Sequence, residues 1–181
     1  MYPQHPRLFF RTETWDGGRG LTLATVKERA GRPEASAVLA LLEGSIPNDA
    51  LRSLLVDNPD SSAFYARRAI EAMLSPRDTS LVTSLGIYLA NSAIGFDWLY
   101  GRPDFTSEEK DRVADYMVRE ADRLVLALTD GSHIFHTRMY GWATGVALAV
   151  LALEGYRPEA AKFSEFGRDY YLKRLFPARR L

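Results

Sequence analysis

Two stretches of the chain, residues 79–100 and 139–153, are long enough for helices and apolar on nearly every side. A helix with no polar face must be enclosed by other protein, because none of its sides suits water. Both stretches are rich in small residues: Gly86, Ala90, Ser92, Ala93 and Gly95 in the first, and Gly141, Ala143, Gly145, Ala147, Ala149 and Ala152 in the second. Side chains this small let a neighbouring backbone come close. The segments between have the opposite character. Residues 61–74 pattern as an amphipathic helix, with Phe64, Ile70, Met73 and Leu74 expected toward a core and Arg67, Arg68 and Glu71 partly outward. Farther along, Val113, Tyr116, Met117, Ala121, Leu124 and Leu128 fall on one helical stripe, with Asp111, Arg112, Asp115, Arg119 and Asp122 on the other side. Half-wetted outer helices thus alternate with inner ones, and period-2 strand patterning is essentially absent. The predicted fold is all-α, made of helical hairpins of an incomplete (α/α) toroid or of a helical solenoid.

Start and stop signals divide the rest. The first twenty residues read as irregular, with an apolar patch, Leu8-Phe9-Phe10, suited to docking on a surface. Helical pattern begins near Leu21 and breaks at Gly31-Arg32-Pro33; two short helices are predicted over 34–42 and 48–56, followed by Gly44 and Pro59 respectively. Gly101-Arg102-Pro103 ends the first inner helix. Thr106 and Glu109 have the spacing of a capping box, in which the hydroxyl accepts from the backbone and the carboxylate reaches back. Glu154-Gly155 closes the second inner helix, and Pro158 opens a final amphipathic one carrying Phe163, Phe166, Tyr170 and Leu175.

A chain of 181 residues buries one real core, so residues 1–181 read as a single helical domain. The last helix is of the outer type and lacks an inner partner, which suggests an N-terminal fragment of a larger multidomain protein. Formal charge is zero, giving no general attraction to nucleic acid or an anionic membrane. No apolar run reaches the ~20 residues of a membrane span. The absence of cysteine excludes disulfides, thiolate metal sites and a cysteine nucleophile. The first residues do not form a signal peptide, and the compartment is left unassigned. Arginine greatly outnumbers lysine, and guanidinium forks suit carboxylate, sulfate or phosphate groups.

The chemically richest segment is Gly131-Ser132-His133-Ile134-Phe135-His136-Thr137-Arg138-Met139-Tyr140, where the chain enters the second inner helix. His136 and Tyr140 are four apart, on one face if the helix has already begun, and a histidine within reach of a tyrosine is a workable acid/base couple. Arg138 has the shape to hold a substrate carboxylate, His133 stands nearby, and Trp142 offers a ring for a sugar to stack on; on a buried helix Trp142 and Tyr140 would by default be core. The opposing reading of the segment is a capping and hydrogen-bonding cluster. No Asp, Glu or His set completes a metal coordination sphere, so neither a metal nor a cofactor is expected. Asp97, in Phe96-Asp97-Trp98-Leu99-Tyr100, needs a partner if buried; it reads either as a polar group in a cavity or as half of a structural pair.

Three segments in order, His5-Pro6-Arg7-Leu8, Ala93-Ile94-Gly95-Phe96-Asp97-Trp98-Leu99-Tyr100, and His136 ahead of the run over residues 144–153, resemble the N-terminal helical domain of heparinase II/III-type polysaccharide lyases. The resemblance spans roughly residues 5–176. It implies an (α/α) toroid followed by C-terminal β-sandwich domains in the parent chain, and β-elimination on a uronic-acid polysaccharide in a periplasmic or secreted setting. It assigns His136 and Tyr140 as catalytic; together with the reading of the residues above, the expected substrate-binding set is His133, Arg138, Trp142 and Asp97. Members of that family often carry an Asn-His pair with a Tyr one turn later; Phe135 stands at the Asn position here, leaving carboxylate neutralisation to His133 or Arg138. The family's second catalytic Tyr would lie beyond Leu181, so the fragment by itself is expected to be inactive. Two other readings compete: an α/α-toroid glycoside hydrolase using carboxylates such as Asp97 and Asp130, and a non-catalytic carbohydrate-binding or scaffold module.

Overall fold

The computed structural model describes residues 5–6, 8–11, 21–42, 44–75, 82–129, 138–170 and 172–173, with side chains for all of these except 11, 82–84 and 138–140. The described residues are all-α apart from one minimal sheet. In it β1 (Phe10–Arg11) pairs in parallel with β2 (Leu21–Thr22), Phe10 opposite Leu21. The helices are α1 (Leu23–Ala30), α2 (Ser36–Ala40), α3 (Ile46–Leu55), α4 (Pro59–Leu74), α5 (Val82–Leu99), α6 (Ser107–Thr129), α7 (Arg138–Leu153) and α8 (Ala161–Tyr170), with single 3₁₀ turns at Pro33–Ala35 and Pro158–Ala160. None of them is long and apolar enough to cross a membrane.

Side-chain caps set the starts of α1, α3, α4 and α6. The Thr22 hydroxyl accepts from the Thr25 amide at 3.1 Å, so Leu21 and Thr22 belong to strand and cap rather than to the predicted helix. Ser45 caps α3 and Asn58 caps α4, each with a proline in the first turn, and both helices begin two residues before the starts predicted at 48 and 61. The capping box of α6 is present: the Glu109 amide donates to the Thr106 hydroxyl at 3.2 Å, and the Thr106 amide donates to the Glu109 carboxylate at 3.1 Å. Gly155, at φ 77°, ends α7 in the left-handed conformation that favours glycine. The predicted helix over 34–42 is instead a 3₁₀ turn followed by the five-residue α2; no residue of either is buried, and nothing in their packing extends them.

The chain divides into two compact units, one drawn from residues 1–76 and 94–113 and the other from 77–93 and 114–181. In the first, α3 and α4 form a helical hairpin. Its core holds Leu8, Phe10, Ile46, Ile70, Met73, Phe96, Leu99 and Phe105. Gly95 of α5 faces Ile46 and Met73, and a Cβ there would lie 3.1 Å from the Met73 sulfur while overlapping Ile46 more severely. In the second, Met117, Ala121, Leu124 and Leu128 of α6, Trp142, Val146, Val150 and Leu153 of α7, and Phe163 and Tyr170 of α8 are buried. The α6 stripe matches expectation. Phe64, expected toward the core, is instead 56% exposed. The buried face of α4 is Ala66, Ala69, Ile70 and Met73, and Phe64 sits about 200° round the helix from Ala66 at ~100° per residue. Nor are the inner-type helices enclosed all round, since Ile87 of α5 and Thr144 and Leu151 of α7 are exposed.

Candidate functional site

The segment with two histidines leads into α7, and the position of that helix is fixed by glycine. At Gly86 of α5 an added Cβ would lie 2.8 Å from the carbonyl carbon and oxygen of Gly141 and 2.8 Å from the Trp142 Cα. At Gly145 it would lie 3.1 Å from the Gly86 carbonyl carbon and overlap the oxygen. So α5 and α7 touch backbone to backbone, which no larger residue at 86 or 145 permits. The first turn of α7, whose backbone includes Arg138 and Tyr140, comes immediately before Gly141 at this crossing. The side chains of Arg138 and Tyr140, and all of Asp130, His133, Phe135 and His136, lie outside the described residues. The face shared by His136 and Tyr140 therefore rests on their four-residue spacing alone.

Trp142 is 6% exposed, with its Cα against Gly86. It is a core residue of the second unit, the default for a tryptophan on such a helix, and its ring is not presented for stacking on a sugar. Asp97 is likewise closed to solvent, at 0% exposure. Its Oδ1 lies 2.5 Å from His5 Nδ1, and its Oδ2 accepts the Leu8 backbone N–H at 2.8 Å. Of the two readings open for Asp97, this is the structural pair; a direct substrate contact does not fit a carboxylate so enclosed.

The Asp97 pair belongs to a larger cluster. His5 stacks on Tyr100 with ring centroids 4.1 Å apart and meets Phe96 edge-on. Trp98 donates its indole N–H to the Leu8 carbonyl at 2.9 Å and packs against Phe10 at 5.0 Å. Lys110 Nζ lies over the Tyr100 ring, 5.0 Å from its centroid. The apolar patch of the first ten residues thus docks on the last two turns of α5, tying together segments about 90 residues apart in the chain. Sequence reasoning asked for a partner to Asp97 and missed His5. The signal was there: a buried acid, only three histidines, and one of them beside a docking patch.

The remaining charge is arranged in short networks. In the first unit Arg102 grips both oxygens of Asp104, at 2.8 and 2.9 Å, and donates to the Ser62 hydroxyl at 2.8 Å. The Arg102 hydrogen bonds, which outweigh the opposing effect of partial burial, hold the Asp104 carboxyl below its ordinary range. At Glu109 burial acts upward and is the largest single influence, but the hydrogen bonds from Arg67 and Thr106 together outweigh it and the net shift is downward. In the second unit the nearly buried Glu120 is held between Arg119 and Arg123, while Arg157 pairs with Asp115 and Lys162 with Asp122. Asp115, Arg119, Asp122 and Arg123 of α6, with Arg157 and Glu159, border an open cleft of about 390 Å³ in which acidic and basic side chains balance. Among the described residues no group of three His, Asp or Glu is placed to hold a metal ion.

Comparison with family models, curated proteins and solved structures finds no match to this chain.

Proposed function

We propose that this chain is the helical part of a polysaccharide lyase of the heparinase II/III type, acting by β-elimination on a uronic-acid polysaccharide, with His136 and Tyr140 as its acid/base couple. In this reading the helices belong to an incomplete (α/α) toroid, followed in the parent protein by β-sandwich domains and working in a periplasmic or secreted setting. The observation that carries it is the docking of residues 5–10 on the end of α5. Two of the three segments on which the resemblance rests, separated by some 90 residues, meet through His5, Leu8, Asp97 and Trp98. A motif pair that meets as one buried cluster has a physical reason to occur together, which chance similarity lacks. The glycine crossing adds support, since it fixes the helix whose first turn carries Arg138 and Tyr140.

The chemistry asks for three things. The uronate carboxylate is neutralised, a role for Arg138 or His133. The proton on the adjacent ring carbon passes to a base, a carbon–carbon double bond forms, and the bond to the leaving oxygen breaks as that oxygen takes a proton. His136 and Tyr140 share the last two transfers. Hydrolysis by Asp97 and Asp130 is less well supported, because Asp97 is buried against His5.

The test is turnover of a polyuronate by the parent protein, followed by ultraviolet absorbance of the unsaturated product. His136→Ala is expected to abolish it, and Tyr140→Phe to lower it by about two orders of magnitude or more. Release of reducing ends without that absorbance would replace the lyase by a hydrolase. Binding without turnover in the unmodified parent would leave a carbohydrate-binding module.

A further inference from the structure

Phe64 stands where packing does not require an aromatic residue. It is 56% exposed, on the side of α4 away from Ala66, Ala69, Ile70 and Met73. Tyr65 meets it edge-on, with centroids 5.3 Å apart and planes at 73°. Two guanidinium groups cover the pair. Arg52 of α3 lies 4.5 Å above the Tyr65 ring, and Arg68 lies 5.5 Å from the Phe64 centroid and 5.9 Å from that of Tyr65. Arg68 is steadied further by Asp49, a buried carboxylate of α3 at 3.3 Å.

Arginine is always charged, and its planar fork matches a carboxylate. Stacking on aromatic rings restrains both side chains beforehand, so less freedom is lost when an anion arrives. Phe64 adds a flat apolar surface open to water. A flat apolar surface bordered by planar cations complements a sugar ring that bears a carboxylate: the ring's C–H face lies on the aromatic and the carboxylate takes a guanidinium fork.

The geometry points to a surface subsite for an acidic polysaccharide on the α3–α4 hairpin, formed by Phe64, Tyr65, Arg52 and Arg68. It rests on the ligand class proposed above, but uses none of residues 133–140, and it binds without reacting.

Affinity electrophoresis of the 181-residue chain tests it, through gels containing polygalacturonate, an uncharged glucan or poly-glutamate. Retardation by polygalacturonate alone is expected. Phe64→Ala should weaken it by about tenfold, roughly the loss of one good contact. Arg68→Lys, which keeps a charge beside Asp49 and removes the fork, and Arg52→Gln should each weaken it several-fold. Far-UV circular dichroism matching the parent shows that each variant is folded. Equal retardation by poly-glutamate would overturn the subsite in favour of plain charge or an acidic peptide. Undiminished binding by folded Phe64→Ala would overturn it while leaving the lyase reading intact. Failure of the unmodified chain to bind polygalacturonate would overturn both the subsite and its ligand class, whereas His136→Ala turnover in the parent tests only the reaction.

Discussion

Burying a carboxylate in a helix as apolar as α5 is unfavourable by several kcal/mol unless hydrogen bonds and a cation compensate. Asp97 is hydrogen-bonded to the Leu8 amide and to the His5 imidazole. Asp97→Ala removes the acceptor for a buried amide and for the imidazole together, and should lower the unfolding free energy by about 3–5 kcal/mol. Urea denaturation measures this, and a loss under about 1 kcal/mol would mean that the pair is not holding the N-terminal segment. Asp104 and Glu109 give a different signature. Both carboxyls titrate below the ordinary range in the folded protein. Their contribution is therefore complete above the unfolded-state value, about 4, and is lost as pH falls through the lower folded value. Arg102→Gln should lower the denaturant midpoint at neutral pH, and its curve should converge on the parent's as the solution is acidified below pH 4. Parallel curves would show that Arg102 acts without regard to the charge on Asp104. Of these relationships the need of Asp97 for a partner and the Thr106–Glu109 box were legible in the sequence. Pairing across 92 residues is set by how the chain docks, and no local pattern encodes it.

Glycines that all lie within apolar helices have opposite roles once the helices cross. Gly86 and Gly145 sit where a Cβ would enter the backbone of the facing helix, and Gly141, one turn before Gly145, has nothing within 4 Å of that position. Gly86→Ala and Gly145→Ala should each destabilise by about 1–3 kcal/mol through overpacking. Gly141→Ala should stabilise by roughly 0.5–1 kcal/mol, because alanine loses less backbone freedom in a helix. Thermal melts of the three variants settle it, and a common direction for all three would remove the crossing from the account. The small-residue stripes were legible from sequence; which glycine touches the neighbour was not, since that depends on where along its length each helix is crossed. Caps were the most legible feature of the elements. Thr106 with Glu109 needed only four consecutive residues, and it is present as spaced. The α4 face was misread because Phe64 outweighs alanine in hydrophobicity, while close packing in the core admits the small Ala66 and Ala69 on the buried face.

Across the whole molecule, large apolar side chains remain in water: Leu41 is 80% exposed, Leu126 70%, Phe9 66% and Ile87 62%. Such side chains favour association where they gather into one patch. Light scattering is expected to show mass rising with protein concentration, and a constant monomer mass up to about millimolar protein would count against it. All-α character was legible because helical periodicity recurs in nearly every segment. The two compact units were not, because α5 and α6 each contribute residues to both, and no linker composition marks a division inside a helix. The docked N-terminal segment bears on how this protein is handled. Element boundaries invite shortening it to begin at α1, since every helix survives the cut. That cut would strip the imidazole from Asp97, the carbonyl acceptor from the Trp98 indole and the apolar cover from the end of α5. The shortened polypeptide should express into the insoluble fraction despite an intact complement of helices, and the few residues most easily discarded as a tail are the ones its solubility depends on.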